Sequence, residues 1–592
     1  MRFTKNLFAL ISSLAFATAL QVGAQAPAQP PATPVTDENA NSVREALRKA
    51  LGDDAPAAPI RETPVAPLAP VMPVTPIAPT PLPAAPLTTY PYVVTNTSLG
   101  STGVVALSLR DAIALALQHN LELQVFRYDP LVAEYARRSL YGAYDPVATA
   151  RLGRSENTRE SGGININTGN LQPGTRSETD TLSLGINGQT PIGTTYELAN
   201  SLARNKVNTP FLLGTNSFGE PVFGSRNSDV YNAQSLFSIN QPLLRDFWIN
   251  NTRLQIKLAR RDVHISELAF ERQIMDVMNR VEQAYYDLLA ARESVRVSET
   301  DVAVKKQFFD EQRRRVEVGI LRALDEKLAQ AELAKSEITL IGNRALAVDS
   351  ENILKGLVFE DFSAQLSVGL QLTDRMLAMP ATLDLFDAFK EAMENRPDLQ
   401  QARITLEKAR IQLKYDNNQL YPRFDAFATL GYNGLDTHAR GALEDVGDRN
   451  FRQSSYGLQL SFPLTFWEAR NRKRRDEASK EQAILDLKRQ EEAIVQEVDM
   501  VVRQIRTLWA QIPYTREVTV AQQAALEAEK RTMEAGKSTS YNVLRIASDV
   551  ATAQFEEITA ILNYNKALAD LAFRKGTTLQ RWNIDRPSRA DK

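Results

Sequence analysis

Reactive side chains are scarce in this chain, and their spacing excludes most catalysis. There is no cysteine, which removes disulfide scaffolds, thiolate zinc sites, iron–sulfur clusters, a thiol nucleophile and the lipidated N-terminal cysteine of a bacterial lipoprotein. The three histidines, His119, His264 and His438, are too widely spaced to meet on a helix face, so neither a histidine metal centre nor a histidine-based triad is expected. No glycine-rich phosphate loop leads from a strand into a helix. The expectation is therefore no enzyme, no metal and no cofactor. Lys and Arg number 69 against 71 Asp and Glu. Such a balance excludes a general nucleic-acid binder, which would be basic.

The chemistry that remains is electrostatic and interfacial. Arg470, Arg472, Lys473, Arg474 and Arg475 form one basic cluster, and Arg253, Lys257, Arg260 and Arg261 another. Each stands where a long helical region opens, against the helix macrodipole. Anionic lipid head groups and a merely solvated face are both open readings. Phe247, Trp248, Phe466 and Trp467 precede these clusters and fit an interfacial aromatic belt. Arg313–Arg315 reads as a solvated helix face. Tyr285, Tyr286 and Trp509 read as helix packing.

The elements that must position these groups come as two copies of one design. Leu107, Leu109, Asp111, Ala112, Ala116, Leu123 and Gln124 recur 276 residues on as Leu383, Leu385, Asp387, Ala388, Ala392, Leu399 and Gln400. Pro146 and Pro422 keep the same offset. Each copy then has an alternating segment, ending at Leu152-Gly153 or Leu430-Gly431, a loop, and a second alternating segment, Ser235–Pro242 or Ser455–Pro463. A long helical region follows. In the first copy a heptad spine runs through Ile274, Val281, Leu288, Val295, Val302, Phe309 and Val316, with companions from Val263 to Ser298. An offset of 217 gives Val498, Ile505, Ile512, Thr519, Leu526 and Met533. As one helix, Asp246–Val318 would be about 110 Å long. Gly319 and Gly536 supply the left-handed caps for a reversal, with returning helices expected over Leu324–Leu354 and Tyr541–Phe573. Pro513 is expected to interrupt and bend the second long helix.

The first copy is longer in its strand region, with 81 residues between Gly153 and Ser235 against 23 between Gly431 and Ser455. Thr181–Asn187 and Thr195–Leu202 alternate within it, joined by a short link at Gln189–Gly193. Bacterial barrels have short inner turns and long outer loops, which fits an extra membrane hairpin and six strands per chain. At the N-terminus, residues 1–24 have a basic start, an apolar stretch and small residues before a cleavage site, as in a secretory signal. Residues 25–104 form a Pro/Ala-rich arm, with a proline at every third position from Pro64 to Pro79, the repeat of a polyproline II spacer. Isolated hairpins are unstable, and only closed barrels satisfy the backbone in lipid. The hairpins must therefore pair between copies of the chain.

The duplicated Leu-x-Leu-x-Asp-Ala start, the strand ending Gln241-Pro242-Leu243-Leu244, and the Val318-Gly319 turn followed by Leu324-Asp325 resemble the TolC-like outer-membrane efflux proteins. The resemblance covers roughly residues 105–580. It implies a mainly α fold with a membrane β part, divided into a first repeat over 105–360, a second over 361–580, and a tail over 581–592. It implies a homotrimer sharing one β-barrel, with four strands per chain on family grounds against the six suggested above, and an α-helical tunnel in the periplasm. The implied role is an exit duct in the outer membrane of a Gram-negative bacterium, serving tripartite efflux or type I secretion. Its partners would be a periplasmic adaptor, an inner-membrane pump and outer-membrane lipid. The adaptor would dock at the tips, around Val318, Gly319, Leu324, Ala535, Gly536 and Leu544. Relatives place carboxylates just after the second tip turn, where this chain has Asn542 and Arg545. Three Arg545 side chains around an axis would favour anions. A coiled-coil protein tying the outer membrane to the cell wall is the alternative, and it would not need the paired hairpins.

Overall fold

The computed structural model describes residues 103–159, 175–218 and 221–584. The expected signal, nearly all of the arm and most of the tail lie outside these residues.

The first repeat opens with β1 (Val104–Leu107), α1 (Leu109–His119), α2 (Leu121–Phe126) and α3 (Tyr128–Ser139). Four strands follow: β2 (Val147–Arg159), β3 (Thr175–Gln189), β4 (Thr195–Thr215) and β5 (Pro221–Pro242). They lead into α4 (Asn251–Glu317) and its returning partner α5 (Ala323–Val358). The second repeat comprises β6 (Gly369–Leu372), α6 (Leu385–Asn395), α7 (Pro397–Asn418), β7 (Arg423–Asp436), α8 (Ala439–Gly447), β8 (Phe451–Ser461), α9 (Trp467–Glu534) and α10 (Ser540–Lys575). A short α11 (Thr578–Arg581) closes the described chain.

The duplicated residues have duplicated jobs. Ser108 caps α1 by accepting the Asp111 N–H at 3.2 Å, and Asp384 caps α6 by accepting the Phe386 N–H at 2.8 Å. Ala112 and Ala116 are buried, as are Ala388 and Ala392, and their small side chains let each short helix sit close on its long one. Around the first pair, Ile274, Val277, Val281 and Leu288 form one core with Leu354 and Val358. Around the second, Ile494, Val498, Val501 and Ile505 form another with Tyr564 and Leu571. β1 and β6 pair in parallel and join the start of the first repeat to the start of the second.

The expected spine holds as far as Leu288 and then drifts. Val295 and Val302 are only half-buried, while Val297, Lys305, Phe308 and Gln312 are buried. A straight helix turns about 20° per heptad away from a strict seven-residue repeat, so the inward face migrates along α4. Tyr285 is fully buried, and its hydroxyl donates to the Leu107 carbonyl at 3.1 Å and lies 2.7 Å from an Asp374 oxygen. Trp509 packs on Tyr564 with ring centroids 5.2 Å apart. Tyr285 is a packing residue, as expected, whereas Trp509 packs on one side and keeps 39% exposure. Two expectations are corrected. α9 runs on through Pro513 rather than being interrupted there. α4 starts at Asn251, not Asp246, because Asp246 and Trp248 adopt left-handed backbone, with φ of 65° and 61°.

The strands form one antiparallel sheet in the order β2-β3-β4-β5-β7-β8. The family-based preference for four strands is therefore corrected to six. The extra hairpin β3–β4 is paired along its length to β2 on one side and β5 on the other. Register places Leu152, Leu182 and Leu202 side by side on one face, with Ile186, Leu198, Phe237 and Leu430 in a second row of that face. The opposite face carries Thr181, Ser183, Ser201, Gln234, Thr429 and Gln453, interrupted by Leu236, Phe427 and Phe451.

Candidate functional site

Both tips are closed by the same device. At the first, Gly319 has φ +80°, its N–H donates to Val316 at 2.9 Å, and the Ile320 N–H donates to Arg315 at 2.9 Å. At the second, Gly536 has φ +73°, its N–H donates to Met533 at 3.0 Å, and the Lys537 N–H donates to Thr532 at 3.0 Å. This is the Schellman pattern, which satisfies the last helical carbonyls with the backbone alone. The two tips lie at one end of the molecule. The Ser540 hydroxyl lies 3.0 Å from Gln312 Oε1, and Phe308, Ala329, Val543 and Leu544 form a shared core beneath both turns.

The surfaces of the tips differ. Val318 is 75% exposed, Ile320 70% and Leu324 62%, and beside them lies a cavity of about 400 Å³ lined by Gln307, Glu311, Arg314 and Arg315. Ala535 and Gly536 are exposed on the second tip, among Lys537 and Thr539. Leu544 is 4% exposed. It supports the tip from inside and presents nothing to a partner, contrary to expectation, because its position on α10 faces Phe308. Asn542 is half-buried and its amide reaches Ser538 at 3.4 Å. Arg545 is exposed, with Asp549 one turn on at 3.9 Å. Sequence reasoning missed Asp549, although the four-residue spacing from Arg545 was the signal available.

At the other end of the helices lie the two strand-to-helix junctions. Phe247 and Trp248 stack with centroids 6.2 Å apart, and the Arg253 guanidinium lies 4.7 Å above the Trp248 ring. Phe462 and Phe466 stack at 6.3 Å, and Trp467 is 74% exposed. Phe466 caps α9 with a φ of 50°. The left-handed Asp246 is held from α7: its N–H donates to Asn418 Oδ1 at 3.1 Å, and its carboxylate accepts from Gln419 at 2.7 Å. A cavity of about 330 Å³ beside Trp248 is lined by Arg253, Lys257, Arg260, Arg261 and Lys414, against the single carboxylate of Glu407. The other basic cluster is paired along its own helix, Arg472 with Glu468 at 2.5 Å and Arg475 with Asp476 at 2.6 Å.

Asp476 is also one of two buried carboxyls where α7 meets α9. Asp416 is fully buried, and Asp416 Oδ1 and Asp476 Oδ2 have no partner when both groups are ionised. One proton shared between them satisfies both. Burial, and then the hydrogen bond to Asp476, push the Asp416 carboxyl up to about 6. Elsewhere Glu282 is almost fully buried and raised by that burial, against the opposing pull of Arg581 at 3.3 Å and the Trp582 indole at 2.6 Å. These contacts fasten α11 and Trp582 to α4.

The chain matches the model of the family described as "Outer membrane efflux protein" over residues 203–358 and 388–577. It is 23% identical over 318 residues to the outer membrane protein TolC of Escherichia coli, which covers 52% of this chain and 63% of that protein. It is 23% identical over 328 residues to the probable efflux pump outer membrane protein TtgC of Pseudomonas putida, covering 54% of this chain and 63% of that one. The chain thus spans a little under two thirds of the curated relatives it matches. Among solved structures, the Campylobacter jejuni CmeC outer membrane channel superposes with a TM-score of 0.57 at 14% identity, over 81% of this chain and 87% of that one. The outer membrane protein VceC of Vibrio cholerae superposes with a TM-score of 0.56 at 16% identity, over 79% and 96%. Two helical repeats, a strand sheet shared between them and a family match spanning both repeats agree: the chain belongs to the outer membrane efflux protein family.

Proposed function

We propose that this protein is the outer-membrane exit duct of a tripartite efflux or type I secretion system. The observation that carries the reading is the sheet: one face mainly apolar, the other mainly polar, continuous with four long helices that end in paired turns. Three copies would share one barrel, and their helices would extend into the periplasm as a tunnel. The repeats, 105–360 and 361–580, would each contribute one helical hairpin to its wall. Phe247, Trp248, Phe466 and Trp467 would anchor the barrel at the inner interface of the outer membrane. The apolar first tip, Val318, Gly319 and Leu324, with Ala535 and Gly536 on the second, would meet a periplasmic adaptor that links the duct to an inner-membrane pump. Transport needs no chemistry in this scheme. Partner binding opens the tips, and solute crosses without meeting lipid.

Arg545 is proposed to face the narrow entrance. Its charge is partly offset by Asp549 at 3.9 Å, so a ring of three would be weakly anion-selective at most. The test is single-channel conductance of the detergent-purified protein in a planar bilayer, wild type beside Arg545→Asp. Small, steady steps whose ion selectivity moves toward cations in the variant are the expected result. Steps with unchanged selectivity would keep the duct and remove Arg545 from the entrance. A folded oligomer without conductance, even with its tips disrupted, would instead favour a structural tether.

A further inference from the structure

We infer that the β3–β4 hairpin is part of the membrane wall, and that three copies close an eighteen-stranded barrel by pairing β2 of each chain with β8 of the next. This rests on the duct reading and deepens it.

The hairpin has the surface of a membrane segment. Leu182, Leu184 and Ile186 of β3 share a face with Leu198 and Leu202 of β4, broken only by Asn200 beside Ser235, while Thr181, Ser183, Glu197 and Ser201 take the other. The apolar face is continuous with that of the remaining strands, as Leu182 lies beside Leu152 and Leu198 beside Phe237. Its upper limit is marked by charge. One row beyond Leu152 and Leu182 the same face carries Arg154 and Asp180, and beyond Leu202 it carries Arg204, which pairs with Asp229 at 2.5 Å. Its lower limit is Phe424, opposite Leu460. From Phe424 to Gly434 the strand rises about 34 Å, or about 25 Å once tilted, which is the height of an outer-membrane apolar band.

The hairpin is also fixed at its inner end. The Asn250 amide donates to the Pro191 carbonyl at 3.0 Å, Gln189 reaches Thr252 at 3.2 Å, and Thr194 bonds Gln241. Gly193, at φ +89°, lies so close to the junction between β5 and α4 that a Cβ would stand 2.7 Å from the Asp246 carbonyl. A loop folded over the outside of a barrel would need none of this.

The six strands cannot close by themselves. β2 and β8 are the ends of the sheet order, each with one edge unpaired among the described residues. Membrane barrels need at least about eight strands, and an open edge in lipid is not tolerated. The occupant of each edge is therefore a second copy. β2 runs outward and β8 inward, so the contact is antiparallel. An even number of strands per chain lets that alternation close around a ring. Three copies give a barrel roughly one and a half times as wide as a twelve-stranded one, since diameter scales with strand number. The four long helices per chain are unchanged in number, so the wide part is the outer mouth alone.

The absence of native cysteine makes the test direct. Single cysteines are placed at Ser183→Cys and Leu184→Cys in β3, and at Thr429→Cys and Leu430→Cys in β7 as a reference. Whole cells are treated with a membrane-impermeant maleimide. In both strands the polar-face position should label at least about tenfold faster than its apolar neighbour, because only a thiol in water ionises and reacts. Alternation in β7 but not in β3 overturns the inserted wall and leaves the duct intact. No alternation in β7 overturns the barrel reading itself. In a second arm, Thr149→Cys in β2 and Gln459→Cys in β8 are combined and bridged with a short bis-maleimide. A ladder ending at three copies is expected. A ladder ending at two, or none from a protein that migrates natively as an oligomer, overturns the eighteen-stranded closure.

Discussion

The two repeats share a helical plan and differ in what they attach to it. Each has a capped short helix, a second helical segment, a long helix, a Schellman turn and a helix back. The first adds four strands and the second two. A helix must keep its apolar face against a fixed neighbour along its whole length, whereas a sheet accepts an added hairpin if both new edges find partners. The repeats also differ at one point inside the matching scaffold. Asn120 and Arg396 occupy equivalent positions between the short helices. Asn120 is neutral, donating to the Leu357 carbonyl at 2.9 Å and accepting from Leu123 N–H at 3.1 Å. Arg396 is charged and half-buried, bonded to Asp398 at 2.7 Å and Glu497 at 2.8 Å.

Breaking that pair of positions gives the largest expected effect. Arg396→Ala leaves the half-buried Asp398 without its bonded cation and should cost about 2–3 kcal/mol; Asn120→Ala removes a neutral cap and should cost about 1 kcal/mol. Thermal unfolding of the detergent-solubilised protein measures both, and equal losses would erase the distinction. Next comes the inserted hairpin. Gly193→Ala meets the Asp246 carbonyl and imposes left-handed backbone on an L-residue, for about 2 kcal/mol. Protease cleavage within the hairpin should rise while the helices stay protected. Smaller again, Gly319→Ala and Gly536→Ala should each cost about 1 kcal/mol, equally, because the same turn closes both tips; unequal losses would show that the tips are not built alike.

The smallest effect is the pH slope of the Asp416–Asp476 pair, which only the second repeat carries. The first repeat carries Leu140 and Ala259 where the second carries Asp416 and Asp476. The folded Asp416 value of about 6 lies above the ordinary carboxyl value of about 3.9. Its stabilisation is therefore complete below the ordinary value and lost as pH rises through about 6. The melting midpoint should fall by about 1–2 °C between pH 5 and 7, and Asp416→Asn, which can still donate to Asp476, should flatten the change. An identical slope in the variant would assign it elsewhere.

Much of this was legible in the sequence because it is repetitive or periodic. The offsets of 276 and 217 located both repeats, and the glycines located both turns. The alternation of Thr181–Asn187 and Thr195–Leu202 carried the extra hairpin, against a family expectation that pointed to four strands. The junctions were not legible. Asp246, Trp248 and Phe466 are left-handed without being glycine, and what holds Asp246 so is contact with Asn418 and Gln419, more than 170 residues away in sequence. Leu544 fits a tip position by spacing, yet its direction is set by Phe308 on another helix. Asp549 was legible only through its four-residue spacing from Arg545 on one helix face.

The parallel pair β1–β6 has a consequence for the order of assembly. Val104–Leu107 is made early in synthesis, and its partner Gly369–Leu372 follows 265 residues later. Between them lies the whole of the first strand set and first helical hairpin. Closing so long a loop is slow, because its entropy must be met before the contact forms. Arg292, which bonds the Leu370 carbonyl, and Tyr285, whose hydroxyl lies 2.7 Å from Asp374, gain these partners only with that segment. The clasp is thus a late event that reports completion of everything it encloses, and a chain truncated before residue 369 would leave it open.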